Sequence, residues 1–290
     1  MGQFLGAART LEAVPIVSSK LDPDLQRLLL GSLPDDRPSL EALGFEVCED
    51  HPNRPGHRYL EGYFHAVPGA HSTCVDSIHP RYGAELARNP APLPLAAFCE
   101  GVRRANAPLI LALQKELLRS PNSAPLADVL QRCGHFADIS VQIHWGEEVP
   151  REDIAWHIDA PNSLLHLAVG LRGRRALHAR RRFNKQGAVS RNCLVGPTDE
   201  SEVLWQDTGS AYMSVPCCYP HAVEYTQADW EDSIVALQCR LLLNHDELFR
   251  ALDADPQGAT ASAVFRHLQA AAGLSLPSLK EVEGIMASMA

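Results

Sequence analysis

The sequence lacks both the long apolar runs of membrane proteins and the dense cysteine pattern of disulfide scaffolds. None of its apolar runs approaches the roughly 18 uncharged residues of a membrane-spanning helix. The eight cysteines are sparse and form no Cys-x-x-Cys pair, which disfavours a disulfide framework and a structural zinc site. The N-terminus also lacks a basic segment followed by a long apolar core, so no secretory signal is predicted. These absences favour a reducing, cytoplasmic compartment.

Positive charge is also scarce. The 26 Lys and Arg residues against 35 Asp and Glu residues give a net charge of −9. Because neutralisation of phosphates supplies most non-specific nucleic-acid affinity, a duplex nucleic acid is not expected as a partner. No Gly-x-Gly-x-x-Gly or Walker A loop is present, so a dinucleotide or nucleoside-triphosphate site is not predicted.

The pattern along the chain predicts three regions. Residues 1–136 are predicted to be mostly helical and to pack on the core, with a capped helix at 22–31 and a longer helical stretch at 95–119 that Pro108 kinks or splits. Residues 49–93 are expected to be irregular. Residues 137–245 hold short apolar runs separated by Gly, Pro, Asn and Asp, a pattern typical of a β-sandwich or barrel. Residues 246–290 are predicted to be helical.

A candidate metal site lies inside the β-rich region. His157 and Asp159 are two positions apart, so on a strand both side chains emerge on the same face. His221, in the segment Pro220-His221-Ala222-Val223, is a candidate third ligand from a distant strand. Two imidazoles and one carboxylate with an open opposite side are the ligand set of non-haem Fe(II) oxygenases.

These residues resemble the Fe(II)/2-oxoglutarate-dependent dioxygenase superfamily over roughly residues 137–243. The resemblance implies a double-stranded β-helix, or jelly roll, with His-x-Asp at the end of the second core strand and the distal histidine on the seventh. The resemblance does not cover the flanks. Together with the helices that the pattern predicts there, it gives an expected α+β fold with a mainly β core, a helical N-terminal layer and a helical C-terminal appendage. It also implies Fe(II) and 2-oxoglutarate as cofactor and co-substrate, with His157, Asp159 and His221 as the iron ligands.

The resemblance also calls for a cation that binds the far carboxylate of 2-oxoglutarate. The first arginine after His221 is Arg240, which comes later than the family pattern places this cation. Arg240 is the predicted anchor, because a charged residue in an otherwise apolar strand needs an anionic partner. Arg172, Arg174 and Arg175 are the alternatives. Further candidates for the cofactor cavity are the polar residues of the neighbouring strand segments, namely Gln142, His144, Asn162 and His166.

The segment from Asp253 to Val264 resembles an EF-hand calcium loop. It has Asp at the first and third positions and Gly at the sixth, but Val264 stands where a bidentate Glu is needed. We therefore expect a degenerate hand that binds calcium poorly.

The sequence as a whole predicts a jelly-roll oxygenase that acts on a small molecule or a protein side chain. The late position of Arg240 leaves open a non-catalytic jelly-roll module that binds a metal or ligand and uses the degenerate hand for interactions. A metal-binding jelly roll of the cupin type is a third possibility, although cupins present more histidines close together.

Overall fold

Two antiparallel sheets form the centre of the computed structural model. The larger sheet has seven strands and the smaller has four. Helices pack on one side of the larger sheet through a shared apolar core. The structure describes residues 17–48, 59–65, 90–119, 121, 124–133, 136–145, 154–157, 163–180, 201–214, 221–225, 233–242 and 275–290.

The eight strands from β4 onward coincide with the apolar runs that the sequence pattern predicts. Successive side chains along a strand point to opposite faces, so the two faces can meet different surroundings. The β-rich region also includes a short apolar run at 192–196, which lies outside the described residues. The strands are β1 (Val17–Lys20), β2 (Phe45–Cys48), β3 (Tyr59–His65), β4 (Phe136–Trp145), β5 (Ile154–His157), β6 (Ser163–Arg172), β7 (Arg175–Arg180), β8 (Ser201–Gln206), β9 (Ser210–Ser214), β10 (His221–Glu224) and β11 (Ser233–Leu242).

The strand order identifies the architecture. The larger sheet runs β1-β9-β6-β11-β4-β3-β2 and the smaller runs β5-β10-β7-β8. When β4 to β11 are counted as strands one to eight, the two sheets take the orders 6-3-8-1 and 2-7-4-5. Apart from strands four and five, which pair within the smaller sheet, successive strands thus move between the sheets, as they do in an eight-stranded jelly roll. The mixed fold with a large antiparallel sheet is consistent with the predicted jelly roll.

The N-terminal helices begin and end where the sequence pattern indicates. The Asp22 side chain accepts hydrogen bonds from the backbone amides of Asp24 and Leu25 and caps α1. The predicted helical stretch around Pro108 is split into two helices at Asn106, because proline cannot donate the backbone bond of a continuous helix. The described helices are α1 (Pro23–Gly31), α2 (Arg37–Ala42), α3 (Leu93–Ala105), α4 (Ala107–Leu117), α5 (Ala124–Cys133) and α6 (Leu279–Met289).

The N-terminal region also contributes three strands to the larger sheet. β1 pairs with β9, and β2 and β3 extend the other side beyond β4. The expectation that residues 49–93 are irregular is wrong for β3. This strand is short and is interrupted by Gly62, where an added Cβ would lie 2.8 Å from the Phe64 ring and 2.9 Å from the Phe45 ring. Glycine there weakens the strand signal in the sequence but is needed for close packing.

The two faces of the larger sheet have different surroundings. On β11, Val235 and Leu237 belong to the apolar core that includes Phe98 of α3. Ile234, on the opposite face of β11, packs in a second cluster with Val223 of the smaller sheet. The space between the two sheets is therefore separate from the core between the larger sheet and the helices.

The C-terminal helix α6 packs against α3. Ser278 and Glu281 form a capping box at its start. A Cβ on Gly101 would lie 2.8 Å from Pro277, so glycine permits this close approach. The predicted calcium-loop segment at 253–264 lies outside the described residues, and the predicted domain boundaries remain predictions. None of the helices in the described ranges has both the length and the hydropathy required to cross a membrane.

Candidate functional site

The positions of two predicted iron ligands are directly opposite each other. His157 ends β5 and His221 begins β10, and the two residues are partners in the antiparallel register. The pairing has a register shift between His221 and Val223. These strands are the second and seventh of the eight, as the resemblance implies. Asp159 and Asn162 lie outside the described residues, so their predicted roles remain predictions.

The alternation along β10 shows which face of the smaller sheet His221 occupies. Val223, two residues later, packs in the cluster between the sheets. Glu224 belongs to the opposite face, where its carboxylate lies 2.7 Å from His178 Nε2. His221 therefore shares the inner face with Val223. Within the described ranges, no group of three His, Cys, Asp or Glu residues is positioned to hold a metal.

Three of the predicted cavity residues are buried on the inner face of the larger sheet. Gln142 and His144 lie on β4, and His166 lies on β6, opposite Arg240 of β11. The residues next to them in sequence point to the other face of the sheet and belong to the apolar core between the sheet and the helices. The sheet therefore gathers these polar groups in the compartment that His221 faces.

A chain of hydrogen bonds, which we call the inner-face relay, crosses the inner face of the larger sheet. Gln142 Nε2 donates to Glu61 Oε1 at 2.9 Å, and Tyr59 donates its hydroxyl to Glu61 Oε2 at 3.0 Å. Gln238 Nε2 donates to Gln142 Oε1 at 3.0 Å, and Arg240 Nη2 donates to Gln238 Oε1 at 2.6 Å. The Glu61 carboxylate accepts only, so it fixes the direction of both amides and turns a carbonyl oxygen toward Arg240.

Four residues around this site belong to none of the sequence motifs, namely Tyr59, Glu61, Gln238 and Tyr225. His144 is stacked on Tyr59 with ring centroids 5.0 Å apart, and its centroid is 4.7 Å from that of Tyr225. The Tyr225 hydroxyl lies 3.3 Å from His144 Nε2. Polar residues at alternate positions of β3 and β11 indicate a polar inner face of the larger sheet, but only when the strand pairing is known.

The relay predicts a stability effect. Glu61→Leu would leave the Gln142 amide and the Tyr59 hydroxyl without their acceptor, so we expect a loss of about 1–3 kcal/mol for each buried group left unsatisfied. Urea denaturation measures this loss. Glu46→Leu is the matched control, because Glu46 is the exposed register partner of Glu61 on β2. Equal and small effects of both substitutions would contradict the prediction.

Two of the alternative arginines are partly exposed, with side-chain exposures of 37% for Arg172 and 41% for Arg174. Arg172 Nη1 donates to the Ser233 hydroxyl at 3.0 Å. Arg174 lies over the exposed ring of Trp205, with the guanidinium carbon 4.0 Å from the ring centroid. Arg175, in contrast, is only 4% exposed. Arg240 is half-buried at the end of the relay, so Arg175 and Arg240 are the two interior candidates for an anion anchor.

Comparison with known proteins gives distant structural likenesses. No family model matches the chain, and no curated protein matches it. A Pseudomonas putida prolyl-4-hydroxylase has 11% identity and a TM-score of 0.39, with 79% of this chain and 94% of that chain covered. The α-ketoglutarate-dependent carbocyclase SnoK of nogalamycin biosynthesis has 9% identity and a TM-score of 0.43, with 79% of each chain covered. The epimerase SnoN from nogalamycin biosynthesis, also α-ketoglutarate-dependent, has 10% identity and a TM-score of 0.41, with 79% of this chain and 78% of that chain covered. The jelly-roll assignment of the present chain rests on its strand order and register.

Proposed function

We propose that this protein is an Fe(II)- and 2-oxoglutarate-dependent oxygenase that hydroxylates a small molecule or a protein side chain. The observation that carries the proposal is the register that makes His157 and His221 partners across β5 and β10. Asp159 follows His157 by two residues and would complete the set of two imidazoles and one carboxylate.

The donor set fits Fe(II). Neutral imidazoles and a carboxylate suit this ion, and three protein ligands leave positions open for oxoglutarate and O₂. When bound, the iron would supply the oxygen chemistry and oxoglutarate the reducing electrons, with succinate and carbon dioxide as products. His157, Asp159 and His221 would hold the ion between the sheets.

The chain's own contribution is to bind, orient and exclude water. Gln142, His144 and His166 give the larger sheet a buried polar wall that faces the same compartment. Asn162 is predicted to lie close to the ligands in the chain. Arg240 or Arg175 would bind the far carboxylate of oxoglutarate, since an arginine fork pairs with both oxygens of a carboxylate.

Anaerobic titration with Fe(II) and oxoglutarate tests the proposal. We expect a weak visible charge-transfer band that requires both components, and conversion of oxoglutarate to succinate once O₂ is admitted. Binding of Fe(II) or oxoglutarate with no turnover under any substrate would instead support the non-catalytic jelly-roll module. No binding of either component would contradict both interpretations.

A further inference from the structure

The hydrogen bonds between the charged ends of the inner-face relay all run in one direction. Arg240 donates to the carbonyl oxygen of Gln238, and the amide of Gln238 donates to the carbonyl oxygen of Gln142. The amide of Gln142 then donates to the Glu61 carboxylate. The relay therefore leads from a cation through two amides to an anion, with the donor on the Arg240 side of each bond.

Most of the relay is shielded from water. Glu61 is 4% exposed, Gln142 is 2% exposed and Gln238 is 6% exposed. Arg240 is half-buried. A buried charge is costly unless hydrogen bonds and an opposite charge compensate for it. The Glu61 carboxylate therefore needs a cation, and Arg240 is the cation at the far end of its own chain of hydrogen bonds.

The two amides can transmit the attraction between these charges because their dipoles are aligned. In each amide the carbonyl oxygen, which carries partial negative charge, faces Arg240. The NH₂ group, which carries partial positive charge, faces Glu61. Hydrogen bonds in a chain polarise one another, and a low-dielectric interior strengthens them. Gln142 and Gln238 thus connect the two charges, which in an ordinary salt bridge would be in direct contact.

The anionic end of the relay is held in one orientation. Glu61 Oε1 accepts from Gln142, and Oε2 accepts from the Tyr59 hydroxyl. The Tyr59 ring is in turn stacked on His144, with the two ring planes 15° apart. Because both carboxylate oxygens have donors and a carboxylate can only accept, Glu61 fixes the direction of the whole amide chain.

The strand register supplies a local alternative to this pairing. Glu61 of β3 is the register partner of Gln142 on β4, and β11 lies on the other side of β4. Arg240 of β11 is the register partner of Asp138 on β4. Asp138 is therefore the acidic residue whose place in the sheet is closest to Arg240, and its substitution gives a comparison for that of Glu61.

We infer that Glu61 and Arg240 form a relayed ion pair, and that Glu61 is a positioning residue that orients the Arg240 guanidinium before a ligand arrives. The inference rests on the proposed function only for the identity of the ligand. It also gives Gln142, predicted to bind the cofactor, a different role, because its amide oxygen and nitrogen are both used within the relay. Glu61 acts through Arg240 and does not itself contact the ligand.

A double-mutant cycle in urea denaturation of the ligand-free chain tests the relayed ion pair. Glu61→Gln removes the charge but keeps the size of the side chain and an oxygen that can accept from Gln142. We expect Glu61→Gln and Arg240→Met together to lower the folding equilibrium constant at least about 3-fold less than the product of their separate effects. Glu46→Gln is the matched control, because Glu46 is the exposed register partner of Glu61, and its effect should multiply with that of Arg240→Met.

The positioning role is tested by magnetic resonance of isotope-labelled arginine side chains, with the Arg240 signal identified by its loss in Arg240→Met. Glu61→Gln should shift and broaden this signal, and Glu46→Gln should leave it unchanged. Calorimetry with redox-inert Mn(II) should show oxoglutarate binding weakened about 2- to 10-fold in Glu61→Gln, because a guanidinium that is not held must be ordered on binding. Glu61→Gln should cause no further loss in a chain that already carries Arg240→Met. If Glu61→Gln does not fold, Gln238→Leu replaces it, because this variant interrupts the relay between the two charges.

The outcomes separate the inference from the proposed function. Independent effects of Glu61→Gln and Arg240→Met, with coupling between Arg240→Met and Asp138→Asn instead, would overturn the relayed ion pair. An unchanged Arg240 signal in Glu61→Gln would overturn the positioning role and leave the oxygenase proposal intact. Coupling and a shifted signal in a chain that binds neither Fe(II) nor oxoglutarate would support the inference and contradict the oxygenase.

Discussion

His221→Ala is expected to abolish stoichiometric Fe(II) binding and all oxoglutarate turnover while the chain stays folded. Removing one of three protein ligands would leave the ion with two, and His221 is the first residue of β10 and belongs to neither apolar cluster. His157→Ala and Asp159→Ala should have the same effect. Metal content after gel filtration measures the first result, and circular dichroism checks the fold.

His178→Ala is the matched control for the iron prediction. His178 is on the neighbouring strand β7, and its imidazole contacts Glu224 on the outer face of the same sheet. This variant should keep its iron, because the outer face does not line the site. Full iron retention in the His157, Asp159 and His221 variants would refute the ligand assignment, and iron loss in His178→Ala would point to a site on the outer face.

Phe98→Ala is expected to lower the free energy of unfolding by about 3–5 kcal/mol, the usual cost of deleting a buried aromatic side chain. Phe98 is fully buried in the core that joins α3 to the larger sheet. The cavity left behind would lie between helix and sheet, where the surrounding strands have little freedom to collapse into it. Urea unfolding at constant pH measures the change.

Leu111→Ala provides the comparison within the same helical region. Leu111 lies on α4 and is 51% exposed, so its truncation should change the free energy of unfolding by less than about 0.5 kcal/mol. A Phe98→Ala effect as small as that of Leu111→Ala would mean that the helices do not pack on the sheet as described. Iron binding should survive in both variants, because neither residue faces the compartment between the sheets.

The strands of the jelly roll could be predicted because their signal is local. Alternating apolar residues and turn residues mark β4 to β11 in the sequence, and Asp22 and Pro108 mark helix ends. β3 was missed because Gly62 interrupts a short strand set among proline and histidine residues. Its pairing with β4 is a long-range property that no local window contains.

The site could be predicted only in part for the same reason. The spacing of His157 and Asp159 is local, but the opposition of His157 and His221 depends on strand pairing, which entered through the resemblance. Glu61 carries no motif, and its partner Gln142 is far away in the chain. The roles of Asp159 and Asn162, and the weak calcium loop at 253–264, stay predictions.

The arginines at the turn between β6 and β7 show how one turn decides which face of the sheet a side chain occupies. Gly173 adopts a φ of +74° in this turn. A shift of one residue in strand register moves each side chain to the other face. The sequence therefore could not tell that Arg174 would stack on the exposed Trp205 while its neighbour Arg175 is buried on the inner face.

Because the two faces of the larger sheet pack in different clusters, amino-acid substitutions on them should have different consequences. On β11, the odd-numbered residues Val235 and Leu237 face the helices, whereas Gln238 faces the opposite sheet. The two sets pack in separate clusters, so the energetic effects of substitutions in different clusters should be close to additive where the residues are more than about 10 Å apart. Substitutions at even-numbered positions of β11 could then alter ligand preference, while the odd-numbered positions keep the core contacts that stabilise the fold.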